Sequence, residues 1–449
     1  MIGIILLIIS LGLYFEPSKR YLSYFLYLSF MMGSGGGFGL WIDHIIGLKN
    51  GDCAVIYTFL ISLYLLAKGK WRIPRIRGRG ILTAFITFLI FSIFFSYLYY
   101  GLSPVQILQG GRSFLLIFSL PILVQAEPEE VRKVVRMLFW ICLITSVLYV
   151  LQALVVKGPV MPYPGEVGID RTTGLVRMYN IPANLSVFLA LSFLCPEMLP
   201  KKVNLNLVRG ILFVSLICTL GRTGIAAGLL MVMLALFLKG NFKKIGAALI
   251  VICILFIPFI GTMSQRFEGG NTSDDLEQVL NGKFNENYEK QGDATMLYRF
   301  AWCYERGSYL ARRPLGEQLF GMGLCSDSQD WVYKRYNFKL GLLNEERMLP
   351  VQLSTPDIAI GNMITRLGFG GTIIYLTFYI FLVLFFWKYR KCNVLFLLMS
   401  AYSIILMIEL FSGSALSEVK TLSLMFFIMS LAFHPYGKGL MAFDASKAK

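Results

Sequence analysis

The sequence predicts an all-α polytopic membrane protein of about 12–14 transmembrane helices with one large polar loop. Three observations predict it. Hydrophobic residues make up 56% of the 449 and charged residues only 15%. Apolar runs of about 17–25 residues recur along the chain, the length a helix needs to cross a hydrocarbon core of roughly 30 Å. Between alternate runs Lys and Arg gather in short clusters, the mark of segments that stay on the cytoplasmic side. The 36 Phe and 23 Tyr suit the lipid-facing and interfacial surface of such a bundle.

The first run, Met1 to Phe15, lacks a basic leading region and a small-residue cleavage site, so it reads as a retained helix rather than a signal peptide. Further spans are expected near 21–39, 53–67, 81–100, 113–125, 137–156, 181–198, 206–220, 223–238 and 245–261, then 358–387, 393–412 and 420–435. The pair at 206–238 is the least distinct, being broken only by Gly221-Arg222-Thr223-Gly224.

Residues 263–355 interrupt the pattern. A segment such as 261–275 cannot cross hydrocarbon, where each unpaired polar group costs several kcal/mol. The block is therefore one loop inserted into a single membrane domain covering 1–449. Within it, Ala294 to Arg312 carries Leu297, Phe300, Ala301, Tyr304 and Tyr309 at helical spacing. Such a helix suits a cover over the membrane surface, with Arg299 and Glu305 as candidate inward-facing groups. Leu315 to Leu324 follows as a glycine-rich, turn-forming segment that allows close backbone approach but lacks the strand context of a dinucleotide site. Where the chain re-enters the membrane, Thr355 can cap a helix with Pro356 in its first turn. Asp357 is then either a first-turn acid favoured by the helix dipole or a base for a hydroxyl at the membrane surface.

The cluster from Lys68 to Arg79 holds six cations and no acid, which fixes it in the cytoplasm. The same side then receives Lys19-Arg20, Arg132 to Arg136, Lys201 to Arg209, Lys239 to Lys244, Lys388 to Lys391 and the tail lysines. This alternation gives about thirteen helices, with the polar block outside and the C-terminus inside. The net charge of +16 arises from these clusters. With little aromatic interleaving and no recognition motif, it argues against nucleic acid and for anionic membrane lipids.

Eight cysteines show no metal or redox spacing, and His44 and His434 are the only histidines, so neither metal nor cofactor is expected. Cys142, Cys195, Cys218 and Cys253 read as small hydrophobes. Cys303 and Cys325 share the polar block, where a disulfide is an option if the block is extracytoplasmic.

The outside loops carry a second pattern. Arg171, Arg177 and Asn180 lie between the sixth and seventh spans, Arg222 lies nearly embedded, Arg299, Arg306, Arg312 and Arg313 lie in the block, and Arg366 lies in the helix after it. Arginine near apolar depth is costly without a counter-charge or water. Its planar fork matches phosphate oxygens and stays charged when partly desolvated. A lipid diphosphate would set its chains in hydrocarbon and its phosphates at the level of Arg222. Snorkelling or structural pairing is the competing reading, and it weighs most for Arg312 and Arg313, which precede Pro314 at a helix end.

Together these pieces resemble the O-antigen polymerase and O-antigen ligase superfamily of bacterial envelope glycosyltransferases over roughly residues 165–390. The resemblance rests on Arg171…Gly174…Arg177…Asn180, the Gly221-Arg222-Thr223 turn, Arg299…Trp302…Pro314-Leu315…Phe320-Gly-Met-Gly323, and Asp357…Gly361-Asn362…Leu367-Gly-Phe-Gly-Gly371. It implies a metal-independent transferase of the bacterial inner membrane, acting on undecaprenyl-diphosphate-linked oligosaccharides at the periplasmic face. Partners implied besides the lipid-linked glycans are a chain-length regulator and other glycan-assembly proteins. Ligases of the family resemble one another in a histidine near the end of the long loop. Leu340 to Asp357 contains none, which favours the polymerase. The expected site has Asp357 and Arg222 as catalytic residues, with Arg171, Arg177, Asn180, Arg299 and Arg366 holding diphosphate or glycan. A ligase-type transferase, a flippase for lipid-linked sugars and a scaffold of an export complex are the alternatives.

Overall fold

The computed structural model describes residues 2–32, 50–72, 78–158, 160, 167–169, 176–178, 181–196, 204–240, 246, 295–344, 346–355 and 357–434. Before the polar block come α1 (Ile2–Tyr14), α2 (Arg20–Met31), α3 (Asn50–Ala67), α4 (Arg79–Leu98), α5 (Pro104–Leu115), α6 (Leu120–Leu123) and α7 (Pro128–Val150). An antiparallel hairpin of β1 (Val167–Ile169) and β2 (Val176–Met178) follows, with Gly168 opposite Arg177. After it come α8 (Leu185–Leu194), α9 (Leu205–Cys218) and α10 (Arg222–Leu238). The block contains α11 (Thr295–Ala311), α12 (Leu315–Phe320), α13 (Asp330–Arg335) and a short hairpin, β3 (Leu343–Asn344) with β4 (Leu349–Pro350). The long α14 (Ala359–Tyr389), α15 (Val394–Ile408) and α16 (Ser423–Met429) complete the order.

Among the described residues six stretches are long and apolar enough to cross a membrane: 50–67, 79–98, 104–123, 128–156, 359–389 and 394–411. Helices α1, α8, α9 and α10 are apolar but shorter, as is 423–432. Among the described residues several expected spans are shorter than a full crossing, because turn-forming residues cut the apolar runs. Helix α8 stops at Leu194, just before Pro196. The break between α9 and α10 is real, with Leu220 at φ 51° and Gly221 capping α10. The expected span at 113–125 begins earlier, at Pro104. There Ser103 and Gln106 form a reciprocal capping box, satisfying N–H groups that a helix start leaves unpaired. The expected span at 420–435 is a shorter, continuous helical stretch over 419–432, with tighter turns on either side of α16. The expected span at 245–261 and the end of the one at 21–39 lie outside the described residues.

Three cations join the ends of neighbouring segments. Arg20, at the start of α2, places Nε 2.9 Å from Glu130 and Nη2 3.1 Å from Glu127 at the start of α7. Arg209 and Lys239 donate to the last carbonyls of α8, at Ser192 (2.9 Å) and Leu194 (2.6 Å), where the helix dipole favours cations. All three cations belong to segments assigned to the cytoplasmic side.

The polar block docks where α4 ends and α5 begins. Tyr100 donates to the Gly321 carbonyl (2.7 Å), Leu324 N–H donates to Ser96 Oγ (3.0 Å), and Gln329 donates to the Gln106 carbonyl (3.1 Å). Helix α12 lies between α4 and α14, with Phe320 stacked on Phe88 and Phe95. The next segment tucks against α5 so closely that a Cβ at Gly110 would sit 2.4 Å from the Cys325 backbone. Met322, Leu324 and Cys325 are fully buried. Much of what sequence suggested was a surface cover is thus wedged into the bundle.

On its inner side α12 carries Glu317, fully buried, which accepts from Tyr99 Oη (2.9 Å) and from Arg313 Nε (3.1 Å) and Nη2 (3.2 Å). Arg335 adds a second cation at 3.6 Å. Arg313 is therefore a structural partner, as pairing predicted. Glu317→Gln keeps an acceptor but removes the charge two arginines share. It is expected to lower stability by about 1–3 kcal/mol, read as an earlier unfolding midpoint in nanodiscs.

Candidate functional site

The site is built where α11 meets the start of α14. Helix α11 forms as its spacing predicts, and its two candidate groups separate. Glu305 is structural: its carboxylate accepts from the N–H groups of Lys339 (2.8 Å) and Leu340 (3.3 Å) and from Arg306 Nη1 (2.6 Å). Arg299 turns the other way, toward the chain's return to the bundle.

That return is held by side-chain hydrogen bonds. Asp327 accepts from Gln352 N–H and Leu353 N–H, both at 2.9 Å, and from Ser354 Oγ at 2.6 Å. Asn362 clamps Thr355 from both sides, accepting from its N–H (2.8 Å) and donating to its carbonyl (2.7 Å). Thr365 Oγ1 donates to the Leu353 carbonyl at 2.9 Å. A loop with its backbone so fully paired can present one side chain in a fixed place.

The side chain presented is Asp357, Oδ1 of which lies 3.9 Å from Arg299 Nη2. Arg299 is mostly buried and Asp357 about half-exposed, so the pair forms a rim open to solvent. The expectation that Asp357 occupies the first helical turn is corrected. Ile358 is the N-cap and α14 starts at Ala359, which leaves Asp357 outside the helix. Thr355 does not cap the helix either: its hydroxyl accepts from Asp357 N–H at 3.3 Å, a local turn that halts the helix short of the carboxylate.

Behind the pair is a pocket of about 120 Å³ lined by Arg299, Phe300, Cys303, Ile358, Ile360, Ile364 and Phe411. Except for Arg299 its walls are apolar. Its size is near that of a cavity that holds one benzene, so it has room for a small apolar group, and its walls offer a sugar ring few hydrogen-bond partners. Cys303 is a free thiol that burial pushes up to about 11, so it is protonated and inert at neutral pH. Cys325 is also free, and the disulfide option is corrected.

The remaining expected residues fall elsewhere. Arg366 lies in α14 as expected, within electrostatic reach of Cys325. Its Nε is buried without a hydrogen bond, and among the described residues it makes no ion pair. Arg222 opens α10, and Arg177 lies on β2, both described in backbone only. Arg171 and Asn180 lie outside the described residues. The structure thus brings Arg299 and Asp357 together, while the side chain of Arg222 lies outside what is described.

Two groups escaped the sequence reading. Arg306 was counted among outward arginines but is wholly buried, filling the block's core. Glu409, at the end of α15 and two residues before Phe411, makes no side-chain hydrogen bond or ion pair among the described residues. A single acid closing the apolar run 393–412 was the available signal. Among the described residues no group of His, Cys, Asp or Glu has the arrangement of a metal site. Neither a known protein family nor any curated protein matches the chain.

Proposed function

We propose that this chain is a polytopic glycosyltransferase of the bacterial inner membrane, of the O-antigen polymerase type. It moves a growing glycan from undecaprenyl diphosphate onto a second lipid-linked repeat unit at the periplasmic face. The observation that carries the reading is the Arg299–Asp357 pair on the rim of an apolar pocket where a polar block meets apolar helices. A lipid diphosphate has the same construction, a charged head joined to an isoprenoid chain. The pocket's volume matches one isoprene unit next to the phosphates and leaves the glycan outside, beyond the half-exposed Asp357.

In the reaction the acceptor hydroxyl attacks the anomeric carbon as the bond from that carbon to the diphosphate oxygen breaks. The diphosphate leaves with the bonding electrons, and the hydroxyl proton passes to the Asp357 carboxylate. Arg299 stabilises the charge growing on the leaving phosphate, where a fixed cation contributes most. Arg222, in the first turn of α10, combines its charge with the N–H groups of a helix start, which also favour anions.

Purified chain in nanodiscs, given a lipid-diphosphate-linked repeat unit, should build a ladder of products. Asp357→Asn should slow chain growth by about 10²–10⁴-fold, the usual contribution of a positioned base. Arg299→Ala should lose transfer while the protein stays folded. In cells, loss of the gene should leave single-repeat surface glycan without a ladder. Full-length lipid-linked chains that never reach their final acceptor would point to a ligase, and repeat units retained inside to a flippase. Wild-type ladders from both variants would end the assignment.

A further inference from the structure

We infer that α12 is a re-entrant segment immersed in the bilayer, its outer face formed by Leu315 and Leu319 and covered by lipid acyl chains. The inference rests on the membrane placement above but not on the transferase chemistry.

Depth comes first. Phe320 stacks on Phe88 (5.2 Å between ring centres) and Phe95 (5.0 Å), and a Cβ on Gly316 would meet Phe95 at 2.9 Å. Helix α4 runs to Leu98 and rises about 1.5 Å per residue, so these contacts reach from about 5 Å (Phe95) to about 15 Å (Phe88) below the outer end of α4. On its other flank Leu319 packs against Gly370, well inside the long apolar stretch of α14.

Surface comes second. Leu315 is 68% and Leu319 40% exposed, on a helix whose opposite side buries Glu317 completely. The neighbours on the same side are the exposed apolar residues of α4 and α14: Phe91, Phe94, Leu98 and Ile373. Phe91, Phe94 and Leu98 surround Phe95 on one helix surface, and Ile373 is one turn from Gly370, so the exposed surface is continuous across three elements. A surface of this kind on membrane-length helices faces lipid, and α12 shares it. Polar markers stand where the headgroups would begin: Tyr97 and Tyr99 are exposed near the end of α4, and Arg312, exposed and without an ion pair among the described residues, precedes α12.

Backbone comes third. Irregular chain at membrane depth is tolerated only where its polar groups are satisfied inside the protein. The turn after α12 meets that condition. Gly321 N–H donates to Glu317 O (2.8 Å), Met322 N–H to Thr365 O (2.7 Å) and Leu324 N–H to Ser96 Oγ (3.0 Å). The Gly321 and Met322 carbonyls accept from Tyr100 (2.7 Å) and Tyr336 (3.0 Å). A loop lying in water would not need such complete pairing.

The test places a nitroxide at Leu319→Cys, at Phe91→Cys on α4 and at Leu349→Cys on the β3–β4 hairpin, in nanodiscs, subtracting the signal of the labelled wild-type chain. Collision with oxygen, which partitions into lipid, is compared with collision with a water-soluble nickel chelate. Positions 319 and 91 should favour oxygen several-fold, and position 349 the nickel chelate. Leu315→Cys repeats the measurement if the label at 319 disturbs packing, judged by whether buried Cys325 stays unreactive. A water-like 319 and 315 beside a lipid-like 91 overturns the re-entrant segment alone. A water-like 91 overturns the membrane placement, and this inference with it.

Discussion

Arg306→Ala is expected to cost about 3–5 kcal/mol and to unfold the polar block around it, because it leaves buried acceptors without their cation. The guanidinium lies between two rings, 4.1 Å from the centre of Trp302 and 4.6 Å from that of Phe338. Its Nε donates to the Gln352 carbonyl (3.2 Å), and Nη2 to the carbonyls of Leu340 and Val351. Nη1 meets Glu305 at 2.6 Å. One side chain therefore joins α11 to both strands of chain that flank the β3–β4 hairpin. Burial pushes the guanidinium down to about 10, still far above neutrality, so it sits in the core charged. Arg306→Lys should be nearly as harmful, since an ammonium group cannot stack between the rings or span separate carbonyls. Limited proteolysis in nanodiscs reads the effect. Both variants should be cut between 311 and 355 under conditions that leave the wild type intact, and equal resistance of the lysine variant would show that charge alone suffices.

Arg306 also shows what was legible. Trp302, Arg306 and Leu310 recur at four-residue spacing, and all three are buried on one face of α11. The period was readable, but an arginine on that face reads as outward until its carbonyl acceptors are known, and those lie 34 to 46 residues away. The helix itself, the break at Gly221 and the clustering of cations needed only local pattern. For Asp357 the sequence offered the helix dipole as its electrostatic partner, whereas the structure supplies Arg299. Pro356 and Thr355 suggested a helix start three residues too early, because the competing turn through the Thr355 hydroxyl is also local and equally consistent with the sequence. Among the described residues several expected spans are shorter than a full crossing, since apolar composition reports burial or lipid contact without saying whether a run is continuous. The seat of α12 was beyond reach, for it depends on contacts between residues far apart in the chain, Gly321 with Gly368 among them.

That contact makes Gly368→Ala the most disruptive small substitution expected. Gly368 interrupts α14 at φ 68° and ψ −175°, a conformation essentially restricted to glycine and costing other residues on the order of 1–3 kcal/mol. The interruption has a purpose in packing. It leaves the Thr365 carbonyl to accept from Met322 N–H, so the broken helix pairs with the turn after α12. Gly321 faces it, also at positive φ (77°). A Cβ on Gly368 would stand 2.4 Å from Gly321 N and 2.6 Å from the carbonyl oxygen of Gln318, both backbone atoms that no rotamer change can move. Steric overpacking adds about 1–3 kcal/mol, for a total of roughly 2–6 kcal/mol. The consequence is directional. Helix α14 should straighten through 368, α12 should lose its seat against α4, and the segment to Cys325 should lift from Gly110. Reactivity of Cys325 toward a maleimide measures this, since the thiol is fully buried in the wild type and should become readily labelled in the variant. Arg299 and Asp357 lie on the far side of the Thr355 clamp, so their ion pair should survive a local displacement of α12. Transfer activity retained while Cys325 becomes reactive would separate the wedge from the site. Cys325 remaining unlabelled in Gly368→Ala would show that α14 tolerates a regular turn there, and that the glycine pair does not seat α12.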